Sequence, residues 1–219
     1  MPGKLTVTRE DFFGEVASPE QAYWLGFLAA DAGVHGTKVA FCLQGRDRPH
    51  LDLFRQAVGS RHRIGDGRKD GCVTLAIRSP QMAGDLARWG VTPRKTGREV
   101  CPALSAELLS HFWRGYFDGD GCIGVGRRKG CKVPQWSLSI TSASELLIDQ
   151  FRDWVAGQLP GTTGSKAKRR GTGCWAVVYG GNRQSRRLAR LLYKDATVYL
   201  GRKFLLYCRM TADSTAKKE

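Results

Sequence analysis

The sequence lacks the cysteine spacing of a zinc module or a disulfide framework. Its seven cysteines include no C-x-x-C pair, and their odd number argues against full pairing, so we expect reduced thiols in mostly structural positions. No apolar run approaches the ~20 residues that cross a bilayer. The segment Met1 to Glu15 carries acidic residues and no apolar core, unlike a signal peptide. These absences predict a reducing compartment and no membrane partner: the cytoplasm, in association with the nucleoid if the source is a bacterium or phage.

Acidic residues are also scarce relative to basic ones. The chain has 20 Asp and Glu against 35 Lys and Arg, which gives a formal net charge of +15. Such a surplus predicts a polyanionic partner, because every phosphate that a cation neutralises releases counterions. Charge alone does not choose between DNA and RNA. The 219 residues are enough for one large domain or two small ones, each with its own core.

Helical and strand-like patterns occur in the same order twice along the chain. Apolar spacing and capping residues predict helix, strand, strand, helix, strand, strand and helix in each half. We divide the chain into an N-terminal extension (1–17), a first half (18–90), a linker (91–104), a second half (105–210) and a C-terminal tail (211–219). The predicted elements are helices from Ser18 to about Gly33, from Pro49 to Val58 and from Ser79 to Trp89, with strands at Lys38–Leu43 and on both sides of Gly65–Gly67. Those of the second half are helices at Ser105–Asp118, Ser144–Leu159, Arg183–Leu192 and Ala196–Met210, strands at Cys122–Gly126 and Gln135–Thr141, and a hairpin from Lys166 to Tyr179.

The strongest repeat joins Trp24 to Asp31 (WLGFLAAD) with Trp113 to Asp120 (WRGYFDGD). Each segment ends a predicted helix on an aspartate and has small residues four apart, which allow two helices to approach closely. Glycine is costly inside a helix, so its presence needs a reason, and close packing supplies one. Such a crossing would bring Asp31 and Asp120 together at the helix ends.

Two carboxylates at adjacent helix C-termini are unfavourable without a cation. Each opposes the helix dipole, and each repels the other. Divalent metal relieves both penalties, and Mg²⁺ prefers carboxylate and phosphate oxygens. This arrangement is typical of metal-assisted phosphodiester hydrolysis. A single Asp-Gly would be an ordinary turn, but two at equivalent places favour a functional site.

Both segments resemble the LAGLIDADG signature of homing endonucleases, in its single-chain, two-motif form. The resemblance extends to VTPRK (91–95) and to LYKDATVYLGRKF (192–204), and it covers roughly Ser18 to Met210. The second motif is highly specific. The first is looser, because Ala29 replaces an acidic residue and Ala32 stands where glycine is usual. We expect Ala32 to alter the turn or to shift Asp31.

The resemblance implies an α+β fold of two pseudo-symmetric αββαββα halves, whose curved antiparallel sheets form a DNA-binding saddle. It implies that Mg²⁺, or Mn²⁺ or Ca²⁺ in its place, is held by Asp31 and Asp120 with the residues that follow them, Ala32 and Gly121. It also implies catalytic roles for those aspartates and for two lysines. Lys95 and Lys203 match positions where the family places a basic residue near the catalytic water.

A sheet in the major groove reads bases through polar side chains on one face. The predicted readers are Thr74, Arg78, Ser137, Ser139 and Thr141, and for each a solvated sheet face is an equally good interpretation. Basic clusters in predicted hairpins fit phosphate contacts over both halves. They are Arg61, Arg63, Arg68, Lys69, Arg127, Arg128, Lys129, Lys132, Lys166, Lys168, Arg169 and Arg170.

Three functions remain open at this point. The first is a monomeric, site-specific endonuclease that serves intron homing and cuts both strands of a long, asymmetric double-stranded DNA target. The second is an RNA-binding splicing cofactor that assists folding of intron RNA. The third is a DNA-binding regulator that does not cut. Retention of both aspartates favours cleavage.

Overall fold

The helices and strands of both halves are present in a computed structural model of the chain. It describes residues 9–67, 71–93, 96–127 and 133–212. The first half consists of α1 (Pro19–Asp31), β1 (Gly33–His35), β2 (Lys38–Gln44), α2 (Arg48–Ala57), β3 (Gly65–Asp66), β4 (Cys72–Arg78) and α3 (Pro80–Arg88). The second half consists of α4 (Ala106–Asp120), β5 (Gly121–Gly126), β6 (Gln135–Ser142), α5 (Glu145–Gln158), β7 (Ser165–Lys168), β8 (Trp175–Gly180), α6 (Asn182–Tyr193) and α7 (Gly201–Ala212).

Each half contains one four-stranded antiparallel sheet with equivalent strand order. The orders are β1-β2-β4-β3 and β5-β6-β8-β7, with every neighbouring pair antiparallel. The fold is therefore α+β, in two αββαββα halves, and the second half carries one additional helix. This confirms the predicted fold class.

Alternation along the strands decides which side of each sheet faces the core. Val73, Leu75 and Ile77 on β4 are buried, as are Trp136, Leu138 and Ile140 on β6. Their neighbours in sequence are partly or fully exposed along most of each strand. Each sheet therefore has an inner face against the core and an outer face on the opposite side, as the alternation predicted.

The capping signals at the start of α1 act as predicted. The Ser18 hydroxyl accepts from the Gln21 amide, and the Gln21 side chain accepts from the Ser18 amide, which forms a capping box. The Ser105 side chain, in contrast, makes no capping hydrogen bond at the start of α4. Its carbonyl oxygen accepts from Leu108 instead.

Two element predictions were wrong in detail. The predicted order contains two strands before α2, but only Lys38–Leu43 was located; β1 was not, because three residues after a helix carry too little alternation to show a strand. The last helix begins at Gly201 and not at Ala196, since the amide of Leu200 is bonded to the buried Asp118. Phe12 and Phe13, in the N-terminal extension, are buried in the core. No helix within the described ranges is long and apolar enough to cross a membrane.

Candidate active site and nucleic-acid interface

The two motif helices, α1 and α4, cross in direct backbone contact. A Cβ atom added to Gly26 would overlap the carbonyl oxygen of Phe112, and one added to Gly115 would overlap that of Tyr23. Only glycine fits at either position, which explains why the sequence accepts its helical cost. Large aromatic side chains, Trp24 and Trp113 among them, are fully buried around the crossing.

The crossing places Asp31 beside the end of α4. A Cβ atom on Gly119 would lie 3.3 Å from Asp31 Oδ2, so the glycine preceding Asp120 lies directly against the Asp31 carboxylate. The buried Tyr116 interacts electrostatically with both aspartates. Burial raises its pKa well above the ordinary value, and the charges of Asp120 and Asp31 raise it further. The structure therefore brings the two predicted carboxylates to one place.

Asp31 and Asp120 are suited to bind a metal ion whose remaining ligands come from water and the substrate phosphate. Asp31 is exposed and Asp120 is partly exposed. Within the described part of the chain, no three His, Cys, Asp or Glu side chains form a group that could hold a metal ion by themselves. Two carboxylates beside open space are the donors that Mg²⁺ combines with water and phosphate oxygens.

The turns after the two aspartates share an extended backbone. Ala32 has φ −87° and ψ 144°, and Gly121 has φ −94° and ψ 167°. Both φ values are ordinary for any residue, so Ala32 adds no backbone strain. A Cβ atom on Gly121 would overlap Phe117, four residues earlier. In the first motif the residue four positions before Ala32 is Leu28. The glycine of the second motif makes room for a large aromatic ring.

A buried carboxylate two residues before the end of α4 links the two halves. Asp118 accepts hydrogen bonds from the Tyr23 hydroxyl at 2.8 Å, from the Tyr193 hydroxyl at 2.5 Å and from the Leu200 amide at 2.7 Å. These four groups are called the Asp118 network below. Burial raises the pKa of Asp118, while Lys203 and the three donors oppose that rise. The donors come from α1, from α6 and from the residue that precedes α7.

Lys203 lies beneath the same helix end. It is 1% exposed, and its ammonium donates to the carbonyl oxygens of Phe117 at 2.6 Å and Asp118 at 2.8 Å. A cation at a helix C-terminus stabilises the orphan carbonyls there. Burial lowers its pKa to about 8, against the raising effect of Asp118.

The predicted readers Thr74 and Arg78 lie on the outer face of the first sheet. In the strand register Thr74 is opposite Cys42, and Arg78 is opposite Lys38. Arg78 and Lys38 are both exposed. The sequence interpretation missed Lys38, Cys42 and Gln44 on this face, although the alternation of Lys38–Gln44 carries the signal.

The outer face of the second sheet carries Ser137, Ser139 and Thr141. Ser139 lies between Cys122 and Val178 in the register, and the Thr141 hydroxyl donates to the Asp120 carbonyl oxygen at 3.2 Å. This face therefore adjoins the paired aspartates. Within the described strands all of its side chains are uncharged, and most are small. They are Cys122, Gly124, Gly126, Gln135, Ser137, Ser139, Thr141, Ser165, Ala167, Ala176, Val178 and Gly180.

The predicted phosphate contacts divide into two structural groups. Five arginines are exposed in loops at the sheet edges: Arg61, Arg63, Arg127, Arg169 and Arg170. Lys166 points the other way, because it pairs with Val177 on the inner face and its ammonium donates to Glu145 and Asp149 of α5, each at 2.8 Å. Lys168 lies over the Trp175 ring on the same side. Lys95, Arg68, Lys69, Arg128, Lys129 and Lys132 lie outside the described residues.

Comparison with known proteins agrees with this geometry. A family model described as a LAGLIDADG-like domain matches residues 107–192. The LAGLIDADG homing endonuclease I-LtrWI, solved bound to target DNA, is 10% identical with a TM-score of 0.61, and 92% of each chain is covered. The LAGLIDADG meganuclease I-AabMI, solved with uncleaved DNA, is also 10% identical, with a TM-score of 0.62 over 92% of this chain and 91% of that one.

I-SmaMI, solved on an uncleaved DNA target with calcium ions present, is 12% identical with a TM-score of 0.59 over 93% of both chains. A search of curated proteins found no match. The structural matches extend over both halves, whereas the family model covers the second half alone. Residues 107–192 therefore match a LAGLIDADG-like domain, and the chain as a whole has the two-half fold of the solved LAGLIDADG homing endonucleases.

Proposed function

We propose that this chain is a site-specific endonuclease that hydrolyses one phosphodiester in each strand of a long, asymmetric double-stranded DNA target, as in intron homing. The observation that carries the proposal is the meeting of Asp31 and Asp120 where α1 and α4 cross. A binding module would not need two carboxylates beside each other next to the surface that receives a polyanion. The fold shared with nucleases solved on DNA adds support.

Divalent metal, Mg²⁺ in the first instance, would be held by Asp31 and Asp120 with the following residues Ala32 and Gly121. When bound, the metal supplies Lewis-acid stabilisation of phosphate charge and a water of lowered pKa. The protein holds the two carboxylates in place and aligns the substrate. Thr141 assists by fixing the Asp120 carbonyl group.

DNA would lie across the outer faces of both sheets. Thr74, Arg78, Ser137, Ser139 and Thr141 would face base edges, and Arg61, Arg63, Arg127, Arg169 and Arg170 would meet phosphates. The formal charge of +15 supports such a footprint. If phosphate contacts dominate binding, the affinity for DNA should fall steeply as the salt concentration rises. An affinity that does not change with salt would contradict this footprint.

For Lys95 and Lys203 we propose that each orients the attacking water or stabilises charge on the phosphate. Lys203 is 1% exposed and its ammonium donates to the carbonyls of Phe117 and Asp118, so it would act on the water or the phosphate only through the end of α4 that it holds. Lys95→Met and Lys203→Met are expected to reduce strand cutting more than DNA binding. Equal losses in both measurements would assign simple phosphate contact to Lys95 instead.

The decisive experiment is cleavage of a plasmid library in Mg²⁺ by the wild type, Asp31→Asn and Asp120→Asn. Asp153→Asn, an exposed carboxylate on α5, is the matched control. We expect cutting at one site, dependent on metal, lost in both motif variants and retained in the control. Loss in Asp120→Asn alone would indicate a nicking enzyme with a degenerate first half. Tight, salt-sensitive binding to RNA or DNA without any cutting would support the splicing cofactor or the regulator.

A further inference from the structure

The two catalytic helix ends differ in one buried side chain. Asp118 stands two residues before Asp120, whereas Ala29 stands two residues before Asp31. Asp118 is 1% exposed and accepts three hydrogen bonds. Ala29 has no polar side-chain atom and is itself buried.

A buried carboxylate is costly unless its oxygens are bonded, and removal of one partner exposes that cost. An alanine, as at the equivalent place in the first motif, carries no such cost. The buried Asp118 therefore calls for a purpose beyond packing. Its donors come from α1, α6 and the segment before α7, so it ties the end of α4 to three separate elements.

Three backbone carbonyls near the end of α4 are also bonded by side chains from outside the helix. Lys203 donates to the carbonyls of Phe117 and Asp118, and Thr141 donates to that of Asp120. A helix end normally frays, since its last carbonyls have no partner within the helix. Here the last turn is held on two sides, and Asp120 is part of that turn.

We infer that the Asp118 network (Tyr23, Asp118, Tyr193 and the Leu200 amide) is a positioning device for Asp120 that has no counterpart at Asp31. The inference rests on the proposed function. Tyr23 belongs to the first half, so the first half supplies a residue that positions the carboxylate of the second. The two strands of the target are then cut with different sensitivity to the network.

The reaction geometry makes such a device effective. Displacement of a catalytic group by about 1 Å can reduce the rate about 100-fold. Tyr193→Phe and Tyr23→Phe each remove one donor and preserve the ring. Asp118→Asn preserves the size but replaces one acceptor oxygen with a donor group that cannot accept from a hydroxyl.

The test is single-turnover cleavage of the target recovered from the library, with the two strands carrying different labels. Tyr23→Phe, Tyr193→Phe and Asp118→Asn are compared with Tyr179→Phe, a buried tyrosine of β8 outside the network. We expect the ratio of the two strand rates to change about 10-fold or more in the network variants. Tyr179→Phe should leave that ratio at the wild-type value. Equal falls in both strand rates would overturn the inference, because a merely structural role lowers both together.

Hydrogen exchange of the free protein supplies a readout that needs no cleavage. Amides of residues 117–122 should exchange faster in Tyr193→Phe and Asp118→Asn, while those of 28–33 stay unchanged. Equal acceleration at both helix ends, or none at 117–122, would contradict the positioning role. Failure of the wild type to cut any DNA would instead refute the proposed function, and exchange would still decide on the network.

Discussion

The two halves have equivalent strands and motif helices but differ where function is expected. Both retain the terminal aspartate and the small residues at the crossing. The end of α4 is held by the Asp118 network, while the end of α1 has Ala29 in the equivalent place. The outer faces differ as well, since the first carries the exposed pair Lys38 and Arg78 and the second is uncharged within its described strands. The shared features bring Asp31 and Asp120 together, and under the proposed function the differences would let one chain treat the two DNA strands unequally.

Among the features that both halves share, the crossing of α1 and α4 is expected to be the one where mutation lowers stability most. Gly26→Ala and Gly115→Ala would each drive a methyl group into the facing backbone, and we expect a loss of about 3 kcal/mol or more in the free energy of unfolding. Gly84→Ala, where the added Cβ meets nothing within 4 Å on α3, should instead stabilise by about 0.5–1 kcal/mol. Chemical denaturation of the three variants measures this, and equal effects would contradict the close approach.

A buried histidine distinguishes the first half by its response to pH. His50 bonds the Tyr23 hydroxyl at 3.0 Å, and that hydroxyl already donates to Asp118, so His50 Nε2 carries the proton and donates. Burial, with help from Lys203 and Arg202, lowers its pKa from 6.5 to about 3.

The unfolded chain therefore takes up a proton near pH 6.5, and the folded chain does so only near pH 3. The contribution of His50 to stability is complete above pH 6.5 and is lost as the pH falls through this window, at up to about 1.4 kcal/mol per pH unit. Denaturation between pH 6.5 and 4.5 should show a shallower decline in His50→Gln. Parallel declines would show that other groups control acid stability.

The outer faces should differ in what each contributes to affinity. Arg78→Ala is expected to weaken binding of the target by about 1–3 kcal/mol, because a guanidinium can bond guanine or phosphate with two donors. Ser139→Ala should cost less than about 1 kcal/mol, the value of a neutral hydrogen bond. Titration of labelled target in Ca²⁺ compares the two, and a greater loss in Ser139→Ala would reverse the assigned roles.

The smallest effect is expected at a lysine that the sequence suggested as a DNA contact. Lys166 is bonded to Glu145 and Asp149 on the inner face, so Lys166→Ala should leave the salt dependence of DNA affinity unchanged. Arg169→Ala, an exposed neighbour in the same hairpin, should reduce the slope of log affinity against log salt by about 0.9. A reduced slope in Lys166→Ala would place that side chain on DNA after all.

Local patterns were sufficient to predict most elements of this chain. Alternation identified β4 and β6 with the correct buried residues, and Ser18 with Gln21 marked the start of α1. The start of α7 could not be predicted, because it depends on a hydrogen bond between Leu200 and Asp118, 82 positions apart. Lys166 was misleading for a similar reason, since a basic run does not reveal which residues of a hairpin face the helices.

By itself, the sequence determined the repeat of two motifs, the terminal aspartates Asp31 and Asp120, and the surplus of positive charge. These are properties of composition and local spacing, which act without distant contacts. Only the tertiary structure decided that Gly26 and Gly115 contact the opposite helix backbone, that Tyr23 of one half bonds Asp118 of the other, and that Lys203 lies beneath the end of α4. Such contacts join residues far apart in the chain, and their geometry exists only when both cores have packed.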